Sequence, residues 1–101
     1  QELEIESLKI TVRDLNSNDK KSRKLNDSLK GVVILEISKR SPLVGQIFLN
    51  DIIIEVQKRP IMSASNLEKM VRDIIKEKNQ TLLLTIINSS NQRRYLGVKI
   101  K

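Results

Sequence analysis

Two short apolar runs set the limits of this fold. The first, Gly31-Val32-Val33-Ile34-Leu35-Glu36-Ile37, is rich in β-branched side chains and apolar on both pleat faces, as a strand buried on both sides must be. The second, built on Ile52-Ile53-Ile54, reads as another central strand over residues 51 to 57. The segment between them is too short for a crossover helix that packs on a sheet. A doubly wound parallel sheet is therefore disfavoured. A small, partly open β-barrel capped by helices is favoured instead.

The remaining segments fit that frame. Leu3 and Ile5, then Leu8, Ile10 and Val12, alternate with polar residues and predict one strand, or two with a break near Ser7. The polar stretch that follows offers Asn16, Ser17 or Asn18 as cap of a short basic helix ending near Leu25. Ser41-Pro42 opens a turn or short helix, with Leu43, Val44, Ile47 and Phe48 at helical spacing. Arg59-Pro60 ends the second central strand. The clearest helix covers residues 66 to 78. Leu67, Met70, Val71, Ile74 and Ile75 form its apolar face, Ser65 and Glu68 its capping box, and Lys76 and Lys78 its basic end. Residues 80 to 87 predict a strand, 88 to 91 a hairpin turn, and Leu96, Val98 and Ile100 the buried side of a returning strand. The expected class is α+β, mainly β, with five to six strands and two or three helices in a single domain of 101 residues.

Composition removes several functions. The chain has no Cys and no His, so a Ser-His-Asp triad, a thiolate nucleophile and a His-ligated metal are all closed to it. Neighbouring Ser and Lys residues such as Ser38-Lys39 are chance pairs, and catalysis by this chain alone is not expected. No cofactor or metal is implied. The net charge is +7, but the cations are scattered in pairs at strand ends and turns. Only 2% of residues are aromatic, which leaves no base-stacking surface for a nucleic acid. No apolar run reaches membrane-spanning length, and no signal peptide opens the chain. The opening residues read as the middle of something longer, with residues 1–7 either a linker or an extra strand from an upstream domain.

Taken in order, these motifs resemble a PDZ domain, and more narrowly the PDZ domains that follow the protease domain in the HtrA/Do family of serine proteases. The resemblance runs from about Leu8 to Ile100. It rests on Gly31-Val32-Val33-Ile34, on Ser41-Pro42-Leu43-Val44, and on Asn50-Asp51-Ile52-Ile53 through Val56 to Pro60-Ile61. The stretch Ser63 to Val71 is similar to the family's groove helix, and Gln80 onwards to its closing hairpin. Asn50 stands where the family has a turn glycine, and Asn visits left-handed backbone readily. The family's glycine-rich binding loop is here Ser7-Leu8-Lys9-Ile10.

The resemblance implies a function. A PDZ groove binds an extended or C-terminal hydrophobic peptide by adding it as a strand to a sheet edge. The implied groove is lined by Ser7, Leu8, Lys9, Ile10, Thr11 and Val12 on one side and by Leu67, Met70, Val71 and Ile74 on the other. Lys9 replaces the glycine that lets loop amides converge on a peptide carboxylate. The implied setting is a periplasmic protein-quality-control protease whose catalytic domain lies outside this chain. The implied partners are peptides of unfolded or C-terminal substrate segments, and protease and PDZ domains of the same or neighbouring subunits. The closing strands at the end of the chain resemble the last PDZ of such a protein. A last PDZ often contacts a neighbouring domain instead, which makes an assembly module with a blocked groove the alternative. A basic domain binding nucleic acid or anionic lipid is a third reading.

Overall fold

Period-two patterning becomes seven strands in one antiparallel sheet, with two helices against it. The structure is a computed structural model and describes residues 2–77 and 81–99. In chain order the elements are β1 (Glu2–Ile5), β2 (Ile10–Asp14), α1 (Ser17–Ser22), β3 (Val32–Ile37), β4 (Ile52–Val56), β5 (Arg59–Pro60), α2 (Ala64–Ile75), β6 (Thr81–Ile87) and β7 (Arg93–Lys99). The sheet runs β1-β2-β3-β4-β6-β7, with β5 paired to β4, and does not close. The mainly-β, helix-capped architecture expected from the sequence is therefore the one observed. β1 is the second strand that the break near Ser7 allowed, and the two-residue β5 is additional.

The central strands are buried on both faces, as their composition requires. Val32, Ile34, Ile53 and Val56 enter the main core with β2, α2 and β6. Val33, Ile52, Ile54 and Ile87 form a second cluster on the other face, covered by Leu15, Leu25 and Leu29. The chain around α1 thus caps a sheet face that would otherwise be wet. Gly31 is required where β3 meets β4, because a Cβ there would lie 2.5 Å from the Ile53 carbonyl oxygen.

Three element predictions need correction. No helix forms between Ser41 and Phe48; the segment is a chain of turns closed by a bridge between Val44 and Ile47. Gly45 there has φ +85°, which ends any helical run, and Leu43 and Ile47 are buried while Val44 and Phe48 face solvent. Helix α1 ends at Ser22, short of Leu25, after an Asn16 cap that exchanges hydrogen bonds with Asp19. Helix α2 starts two residues earlier than its apolar spacing indicates. Its cap is Ser63, whose Oγ accepts from the Asn66 amide at 3.1 Å, not Ser65. Glu68 pairs with Arg72 at 2.8 Å instead of serving a capping box. Lys78 and Ile100 lie outside the described residues.

Candidate functional site

The slot between β2 and α2 is set by hydrogen bonds at one end and by packing along its length. Asp14, the last residue of β2, accepts a 2.7 Å hydrogen bond on Oδ1 from the Ala64 amide at the first turn of α2. The Asn66 side chain accepts from the Met62 amide at 2.9 Å and fixes the approach to the helix. Leu67, Val71 and Ile74 are buried, and Met70 is half-buried against the same cluster. Ile10 and Val12 of β2 and Leu8 of the preceding loop are buried with them. Thr11 alternates to the opposite face, where it lines a depression with Leu35, Ile37 and Phe48. Ser7 and Lys9 are exposed.

The slot is filled, and its occupant is β1. Strand β1 pairs antiparallel with the outer edge of β2, with Glu2 opposite Arg13, Leu3 opposite Val12, Glu4 opposite Thr11 and Ile5 opposite Ile10. It also packs against α2. Ile5 is fully buried in the main core, and Leu3 packs on that core from its rim. Alternation read from the sequence identified these side chains as apolar but not where they go.

The loop between β1 and β2 takes the shape that its glycine-free sequence made questionable. Lys9 adopts a left-handed backbone with φ +54°. The amides of Leu8 and Lys9 both donate to the Ile5 carbonyl, at 3.0 and 2.8 Å. Two converging N–H groups therefore hold the oxygen at the end of the strand lying in the slot. Two serines hold the loop from behind. The buried Ser41 hydroxyl donates to the Leu8 carbonyl at 2.6 Å and accepts from the Leu43 amide, and the Ser38 amide donates to the Lys9 carbonyl at 2.9 Å. The sequence pattern marks Ser41 as a turn or cap residue, not as a partner of this loop. Leu3, Ile5, Asp14 and Ser38 were also missed as parts of this site. The one available signal was the Ser-Pro step, which marks a turn but not its partner.

Charge at the site is mixed. Beside the loop, Lys9, Glu4, Glu6, Glu68, Arg72 and Ile75 border a depression of about 500 Å³. On β2, Arg13 forms a two-pronged ion pair with Asp19 at 2.7 and 2.9 Å. The Arg13 hydrogen bonds hold the Asp19 carboxyl below its ordinary range, against the opposing effect of burial, and the Asn16 amide assists. Among the described residues no group of His, Cys, Asp or Glu is placed to hold a metal ion. No helix among them is long and apolar enough to cross a membrane.

No family model matches the chain, and no curated protein matches it by sequence. Among solved structures it is similar to the crystal structure of the HtrA3 PDZ domain bound to a phage-derived ligand, FGRWV. The TM-score is 0.64 and the identity 23%, over 99% of this chain and 83% of that one. An antiparallel sheet with a helix flanking its β2 edge, in this order of elements, is the PDZ fold.

Proposed function

We propose that this chain is a peptide-binding, regulatory PDZ domain of an HtrA/Do-type serine endoprotease, acting in protein quality control in the bacterial periplasm and not catalytic by itself. One observation carries the peptide-binding part. The slot between β2 and α2 accommodates an extended segment antiparallel to β2, with aliphatic side chains in the core and its final carbonyl held by the Leu8 and Lys9 amides. That is the chemistry of strand addition. The likeness to a PDZ domain carrying a peptide ligand supports the same reading. The protease setting rests on the Gly-Val-Val-Ile, Ser-Pro and Asn-Asp-Ile-Ile motifs and their order. A second reading is supported by the same slot: with β1 inside it, the domain would serve as an assembly module whose outer faces dock neighbouring subunits.

An amide chemical-shift titration with peptides ending in free hydrophobic residues separates the two. Shifts clustered on residues 7 to 13 and 66 to 75 are expected. Their absence at millimolar peptide removes the peptide-binding reading and leaves the assembly module.

A further inference from the structure

The occupant of the slot is held lightly for a segment lying so deep. Strand β1 is four residues long, and its fully buried side chain is Ile5. Its carboxylates are not anchored: among the described residues the ion pairs are Arg13–Asp19 and Arg72–Glu68. Short strands with few buried contacts belong to the part of a protein that opens locally before the rest unfolds. Opening β1 would free the β2 edge, the apolar wall of Leu67 and Val71, and the Leu8 and Lys9 amides together.

The composition of β1 also states what the slot accepts. Leu3 and Ile5 point to the core, and Glu2, Glu4 and Glu6 alternate with them. Glu2 lies opposite Arg13 in the strand register, and Glu4 and Glu6 border the depression that Lys9 and Arg72 share. Arg13 and Arg72 also hold Asp19 and Glu68, so the acidic groups of β1 lie near cations that are partly engaged, in a chain of net charge +7.

We propose that β1 is a resident ligand of this groove. It gates access in cis, and the segment that replaces it is an extended peptide with branched aliphatic residues at alternate positions and carboxylates between them. The inference rests on the peptide-binding reading above.

The test uses the full chain and a blocked peptide, acetyl-Glu-Leu-Glu-Ile-Glu-amide. Glu4 and Thr11 are directly opposite in the register, and the chain has no native cysteine, so Glu4→Cys with Thr11→Cys gives a reversible lock across β1 and β2. Leu3→Ser, at a half-buried position, weakens β1 without emptying the core. The peptide is expected to shift amides of residues 7 to 13 and 66 to 75 in Leu3→Ser and in the reduced lock variant. In the oxidised variant its affinity is expected to fall at least ~10-fold, because the closed state is fixed. A lysine-for-glutamate version of the peptide is expected to bind Leu3→Ser several-fold more weakly. Equal affinity for the oxidised and reduced forms overturns the gate. No binding to any variant overturns the resident ligand, as does indifference to the charge swap for the acidic class. Peptides ending in free hydrophobic residues tell the two failures apart. If they bind the oxidised and reduced forms alike, the gate falls and the peptide-binding function stands. If they too bind no variant, the function falls with it.

Discussion

At one edge of the sheet β1 lies against α2 with Ile5 buried; at the other, β7 lies open, exposed at every described position except Leu96 and Val98. Both are edge strands of the same sheet, and an unpaired edge invites another strand. The two ends answer that hazard by different means. The β7 edge carries Arg93, Arg94 and Lys99, charges that discourage pairing. The β2 edge carries Ile10, Thr11 and Val12, and is covered by a strand and a helix. The comparison separates an edge that is defended from an edge that is furnished to receive a strand.

The largest effect that tests this contrast is a truncation on the furnished side. Leu67→Ala removes a fully buried side chain from α2, and a loss of about 2–5 kcal/mol is expected in urea unfolding. Tyr95→Ala on β7, where the side chain is 62% exposed, is expected to change stability by less than about 0.5 kcal/mol. Comparable losses would mean that the open edge is as structural as the covered one.

Two aspartates offer a smaller test with opposite signs. Asp19 pairs with Arg13 on β2, and its folded-state pKa is lowered from the ordinary 3.8. Its contribution is present above that value and is lost as pH falls through the lowered one. Asp51 is buried, and burial raises its pKa above 3.8, opposed by the Phe48 amide and by the charges of Arg23 and Arg94. Its contribution is present below 3.8 and is lost as pH rises through the raised value. Unfolding measured across the acid range should therefore lose the low-pH decline in Asp19→Asn and the decline on its upper side in Asp51→Asn.

A stability change as small as that of Tyr95→Ala, under about 0.5 kcal/mol, is expected for Arg93→Thr with Arg94→Thr. Its readout is association. With the charges removed, β7 should pair with a second copy, and sedimentation velocity should detect dimers. A variant that stays monomeric would show that these arginines do not guard the edge.

Much of the fold was legible because period two and period 3.6 report which face of an element is buried. The central strands, α2 and the closing hairpin followed from that alone. The helix expected at Leu43 to Phe48 shows where periodicity misleads. Apolar spacing there matched a helical face, but half of it is solvent-exposed, with Phe48 at 56%, and Gly45 supplies a left-handed turn. The site was less legible for a related reason. Leu3 and Ile5 announce a buried face, yet nothing in a strand's own pattern names its neighbour. Lys9 likewise gave no sign of its left-handed backbone, which is imposed by the turn it closes and the two carbonyls held by Ser41 and the Ser38 amide.

Beside the Arg13–Asp19 pair, Arg23 donates to the carbonyls of Asn50 and Asn88, while Asn91 donates to the carbonyl of Arg23. These contacts join positions 27, 65 and 68 residues apart in the chain. Contacts between positions that far apart carry a closure entropy and are expected to form late in folding. A clasp made that late does little for the speed of folding and much for the slowness of unfolding. The guanidinium of Arg23 is in this sense a latch, tying the end of α1 to the turn before β4 and to the turn between β6 and β7.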